Sequence, residues 1–287
     1  MSSLETISTG HALLEGPVWS PELGLLVADA IVGGVHAYKP GAEPELVVPH
    51  RRGIGGMALH ENGAVIIGGR NLAMKRPASE GDDSTTVLLE NDPENDIIGY
   101  NDLAVDAVGR IYIGSLAFVA ATTREGKPGK LHLIDLDGST RVVAEDILLT
   151  NGLGFSPDGK TLYHSDSLRH VVYAYDVAAD GGLNNRRNFV TTTGGMPDGL
   201  VVDSAGTVWV AEPNSGLVVG YSAAGEKNGD IAIPVPMVTS MCFGGEDLRD
   251  LYIVSGSEGQ DTDRGAGIYK LRVEVPGQAP NWARVRV

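Results

Sequence analysis

Short apolar runs of about three to six residues, each bracketed by polar residues or glycine, recur along the whole chain, and no segment sustains the i, i+3, i+4 spacing of an amphipathic helix. The stretch TNGLGFSPDGKTLYHSDSL (150–168) shows the unit most plainly: a polar residue, an apolar strand, a turn ending in glycine and a second strand. NGLGFSPDG (151–159) aligns with NDLAVDAVG (101–109) and DGLVVDSAG (198–206), and GGMALHENG (55–63) fits the same frame. EGPVWSPELG (15–24) fits with one extra residue and TSMCFGGEDLRD (239–250) fits loosely, giving six units that start 40 to 50 residues apart. Second strands follow as GLLVAD, AVIIGG, RIYIGS, TLYHSD, TVWVAE and DLYIVS, and third strands as GVHAYKPG, GKLHLIDLDG, HVVYAYDVAADG, GLVVGYSAAG and GIYKLRV. The second unit is the weak one, with STTVLLEND serving as its third or fourth strand. This period and strand count are those of a propeller blade. The pattern therefore predicts an all-β fold, one six-bladed β-propeller with four-stranded blades spanning residues 1–287, in which LETIST (4–9) pairs into the last blade and covers its edge.

In a propeller the residue just before each innermost strand faces the common axis. In chain order these residues are Glu15, Gly55, Asn101, Asn151, Asp198 and Thr239. Two carboxylates and two carboxamides at one register form an all-oxygen donor set, which suits a hard divalent cation. A lone Asn or Asp before a strand is ordinarily a turn residue that satisfies local backbone N–H groups; four at equivalent positions point to a shared ligand. Asp102, one residue out of frame, and Asp158, inside the turn SPDG, are expected to be ordinary loop acids. Asp166 and Glu212, at the ends of second strands, are candidates to support the site from behind.

The stretches EGPVW, YNDLAVDAVGR, TNGLGFSPDGKTLYHSDSL, MPDGLVVDSAGTVWVA and PVPMVTSMCFGGEDLRDLYIVS, followed by GAGIYKLRV, span nearly the whole chain. In this order they resemble the SMP-30/gluconolactonase/luciferin-regenerating-enzyme family of six-bladed propellers. The resemblance implies that Glu15, Asn151 and Asp198 hold a metal, with Asn101 beside it, directly or through water. It also implies a lactonase or related hydrolase, in which the metal polarises a carbonyl, Asp198 takes the proton from the attacking water and Asn101 helps to hold the developing oxyanion. Ca²⁺ is the ion the oxygen donors favour, with Zn²⁺, Mn²⁺ and Mg²⁺ open. Sugar-lactone members of the family carry an Arg and a Glu that bind sugar hydroxyls, at positions that correspond to Gly99 and Phe118 of this chain. The expected substrate is therefore a lactone or ester less polar than a sugar lactone, with Tyr100, Phe118 and Arg70 lining its pocket. A phosphotriester or other ester hydrolase at the same metal, and a non-enzymatic binding propeller with a structural cation, stay open as alternatives.

No rival constellation competes. Ser222 in GYSAAG lacks the G-x-S-x-G spacing of a nucleophile elbow. His36 and His132 fall inside third strands, while His164 and His170 flank SDSLR near the mouth, within reach of a substrate. Cys242 lies in an innermost strand and reads as a small core residue. Lys and Arg number 22 against 37 Asp and Glu, a formal charge of −15 that repels nucleic-acid phosphates and anionic membrane surfaces. A single cysteine, no signal-peptide pattern at the start and no long apolar segment together predict a soluble cytoplasmic protein acting on a small molecule. Nothing in the sequence addresses its oligomeric state.

Overall fold

A computed structural model describes residues 3–77, 85–119 and 126–287. They form six four-stranded antiparallel sheets. Each sheet is a meander in which every strand pairs with the next, and the innermost strands are Leu14–Ser20, Met57–Leu59, Gly99–Val105, Thr150–Phe155, Leu200–Val202 and Val238–Gly244. Each innermost strand touches the one after it, and the sixth touches the first, so the blades close into a ring. The N-terminal strand Glu5–His11 completes the sixth blade by pairing antiparallel with Ala266–Arg272, as LETIST foretold. In the second blade the third strand is Leu72–Lys75 and the fourth is Thr85–Leu89, which places STTVLLEND on the outer edge.

Hydrophobicity falls from the axis outward, and the burial of each strand explains its sequence. Second strands lie under neighbouring blades on both faces, so Gly24–Asp29 is buried at every position and reads as a continuous apolar run. Outer strands such as Thr140–Ile147 meet solvent and are largely polar. The core is consequently divided into clusters between adjacent blades. Leu131 and Leu133 of the third blade pack with Leu153 and Phe155 of the fourth, while Leu25 and Val27 of the first pack with Tyr252 and Val254 of the sixth. Cys242 is buried in that last cluster, where burial pushes its thiol pKa up, consistent with a packing role. Among the described residues no helix is long and apolar enough to cross a membrane.

After its last strand the chain turns back across the far end of the channel. Gln278 Nε2 donates to the Phe155 carbonyl at 2.9 Å and the Val202 carbonyl at 3.0 Å. Asn281 Nδ2 donates to the Val105 carbonyl at 3.0 Å, and the Ala283 amide to the Leu59 carbonyl at 2.8 Å. Each acceptor is the last residue of an innermost strand. The tail thus satisfies four strand-end carbonyls that would otherwise face the channel unpaired.

Candidate functional site

At the opposite end the channel opens into a cavity of about 680 Å³. Its floor carries Glu15, Asn101, Asn151 and Asp198, brought together from blades one, three, four and five, beside Gly55 of the second. The backbone positions these side chains by breaking the ladder. Pairing between the first two strands of a blade is interrupted between Glu15 and Val18, between Tyr100 and Leu103, and between Thr150 and Leu153. Such a bulge re-aims a side chain that regular alternation would send between the blades. Thr239, at the sixth position, is diverted: its hydroxyl donates to the Leu14 carbonyl at 2.6 Å, and it does not line the cavity.

The two amides form a directed chain. Asn101 Nδ2 donates to the Thr150 carbonyl at 2.8 Å and to Asn151 Oδ1 at 2.5 Å. Asn151 Nδ2 donates to Ser167 Oγ at 2.7 Å, and Ser167 Oγ donates to the Pro197 carbonyl at 2.5 Å. Both protons of the Asn101 amide are therefore committed, leaving its Oδ1 as the free polar atom. This arrangement suits a ligand and leaves no N–H for an oxyanion, the second role expected of Asn101. Gly55 makes room for it, because a Cβ there would sit 1.9 Å from Asn101 Oδ1. Ser167, on a short turn after the second strand of blade four, was not anticipated; the Asn151 register alone gave no signal for its partner.

Asp102 corrects the reading of it as a loop acid. It lies within an innermost strand, is 9% exposed, and burial raises its pKa to about 7. Its charge acts on both floor carboxylates. Asp198 is raised well above the usual carboxylate range by burial and then by Asp102, partly offset by the Gly199 amide. Glu15 is raised by burial, then by Asp198 and Asp102. Among the described residues no lysine, arginine or histidine lines the cavity to balance these acids. Among the described residues no group of three His, Cys, Asp or Glu side chains is arranged to hold an ion. A cation here must accordingly draw on the carboxamides as well as the two floor acids. Two carboxylates, the Asn101 Oδ1 and the second lone pair of Asn151 Oδ1 fit a hard divalent ion with positions left for water or substrate.

The walls above this floor carry the aliphatic side chains Leu13, Ile54, Leu116, Leu149, Met196 and Met237, together with Asn214 and Glu258. Tyr100, Phe118 and Arg70 are not among the lining residues. Tyr100 precedes Asn101 by one residue and so points between the blades, where it is 1% exposed and donates its hydroxyl to the Glu90 carbonyl at 2.9 Å. Phe118 is 9% exposed and lies over Gly126. Arg70 is exposed on the loop beside Gly99. His164 is fully buried, bonded to Thr150 Oγ1 at 3.1 Å, and burial lowers its pKa to about 3. His170 ends a short turn in the left-handed region at φ 55°. Neither histidine lines the cavity. Asp166 accepts the Leu148 and Leu149 amides at 3.0 Å, and Glu212 accepts the Tyr221 hydroxyl at 2.9 Å, so both brace loops outside the floor. Asp158 is the turn acid expected, accepting from Ser156 Oγ at 2.7 Å.

Comparison with known proteins matches this geometry. Residues 13–257 fit the profile of the SMP-30/Gluconolactonase/LRE-like region. A 6-deoxy-6-sulfogluconolactonase of Pseudomonas putida is 35% identical, over 92% of each chain. A pentonolactonase of Haloferax volcanii is 31% identical over the full length of both chains. The solved structure of a luciferin-regenerating enzyme superposes with a TM-score of 0.88 at 23% identity, covering 99% of this chain and all of the other. With the family profile spanning residues 13–257 and a relative 35% identical over 92% of each chain, the chain belongs to the SMP-30/gluconolactonase/LRE-like family.

Proposed function

We propose that the protein is a divalent-metal-dependent lactone hydrolase. The observation that carries this reading is the floor itself: oxygen donors from four blades, half-buried or buried, with no cation among the described residues beside them, under an open cavity. Glu15, Asn101, Asn151 and Asp198 would hold the ion, with Ca²⁺ favoured by an all-oxygen set. When bound, such an ion supplies Lewis-acid polarisation of the lactone carbonyl. Asp198 takes the proton from the attacking water, and its position in the floor puts that proton acceptor below the space where the ring sits. Asn101 and Asn151 act by position, each fixed by the hydrogen-bond chain through Ser167. The aliphatic side chains above the floor offer hydrocarbon contact beside the reacting carbonyl, which supports a substrate less polar than a sugar lactone. The lactonase names of the two curated relatives support the reaction class.

The test is chelation followed by metal add-back, measured on a panel of lactones. Turnover should vanish on chelation and return best with Ca²⁺. Hydrolysis indifferent to both treatments would overturn the proposal.

A further inference from the structure

A second hollow, of about 480 Å³, adjoins the cavity above the floor. It is walled by Ala12, Leu13, Ile31, Met237 and the loop 257–263, and Leu13, Met237 and Glu258 belong to both spaces. The shared residues make the two hollows neighbours, one lobe over the oxygen donors and one beside it. The side lobe is a built feature. Ser257 Oγ donates to the Ala12 carbonyl at 2.8 Å and accepts the Ala266 amide at 3.1 Å, which pins the base of the loop to the turn before the first blade. Gly256 lets the floor of the lobe close: a Cβ there would come within 2.4 Å of Met237 Sδ and 2.8 Å of a Leu13 methyl. At the rim Ile31 is 58% exposed, an aliphatic side chain held open to solvent beside the entrance.

We infer that this side lobe receives an uncharged alkyl or aryl substituent of the substrate while the lactone ring stands over Asp198. The inference rests on the lactonase reading and narrows its substrate class. An apolar floor favours hydrocarbon, at roughly fourfold in affinity for each methylene removed from water. The charge around the lobe sets the other limit: among the described residues its charged lining groups are Glu258, Asp261 and Asp263, so an anionic tail meets repulsion there. Leu13 and Met237 stand where the lobes meet and select the direction in which the substituent leaves the ring.

Two readouts separate this inference from the reaction on which it rests. Binding of hydrolysis-resistant lactams carrying alkyl chains of increasing length, measured calorimetrically, reports on the lobe; turnover of an unsubstituted lactone reports on the reaction. Affinity of the native protein should rise about threefold to fourfold per methylene over the first several carbons and then level off. Ile31→Asp, at an exposed position where folding tolerates the change, should flatten that rise and lower the ratio of long-chain to short-chain affinity about tenfold. Equal affinity across the series, or the same rise in Ile31→Asp, overturns the side-lobe assignment and leaves turnover of the unsubstituted lactone standing. Chain-length dependence without turnover of any lactone keeps the lobe and overturns the lactonase reading.

Discussion

The two ends of the channel are made from the same six strands and solve the same problem in opposite ways. Wherever innermost strands begin or end near the axis, oxygens accumulate. At the far end these are the carbonyls of Leu59, Val105, Phe155 and Val202, and the C-terminal segment supplies a donor to each, leaving a hollow of only about 190 Å³. At the mouth they are side-chain oxygens of Glu15, Asn101, Asn151 and Asp198, and among the described residues no basic side chain lies against them. One end is satisfied by the chain itself; the other presents its oxygens to the cavity. The contrast teaches that symmetry concentrates polar atoms on the axis, and that occupancy by the chain's own N–H groups decides whether a given end is structural.

The largest effect should come from altering the mouth. Asp198→Asn retains shape and removes the carboxylate, so kcat on a lactone should fall by about 100- to 10,000-fold. A loss under threefold, measured at saturating metal, would remove Asp198 from the proton transfer. A smaller effect should follow from filling the space behind the floor. In Gly55→Ala the new methyl displaces the Asn101 side chain, and metal affinity and activity should drop about 10- to 100-fold, because misplacement on the scale of an ångström is costly. Unaltered metal affinity in isothermal titration would show that Asn101 contributes nothing to the site. The smallest effect belongs to the far end. Gln278→Ala leaves two strand-end carbonyls without their donor and should cost about 1–3 kcal/mol of stability. Urea unfolding should show the loss while kcat stays within about twofold, and a large fall in kcat would break the division between a reactive end and a structural one.

Much of this architecture was legible because it is periodic. The repeated frame from Glu15 to Thr239 gave six blades, their innermost strands and the register of the site, and the open edge of the last blade pointed to LETIST as the strand that closes the ring. What was not legible depends on local departures from the period. Asp102 looks out of frame by one residue, yet the ladder breaks between Tyr100 and Leu103, so counting by twos no longer decides which side chains face the axis. Tyr100, still paired with Ser115 before that break, points between the blades and away from the cavity. Gly55 looked like a gap in the ligand set; it is the space into which Asn101 projects. Ser167 and the side lobe come from loops, where side-chain partners are set by tertiary contact and carry no periodic trace. The first part of the tail, PGQAPN (276–281), has no alternating pattern, and its amide side chains answer to three different strands rather than to one neighbour.

The N-terminal strand adds a consequence for how the protein is made. Pairing Glu5 with Lys270 joins residues far apart in the sequence, so the sixth blade stays incomplete until Ala266–Arg272 has been synthesised. Throughout elongation the earlier sheets can form from sequence neighbours while an unpaired strand edge waits for a partner yet to emerge. Nascent chains halted shortly before residue 266 would carry that edge exposed, and are the species from which aggregation during expression should start.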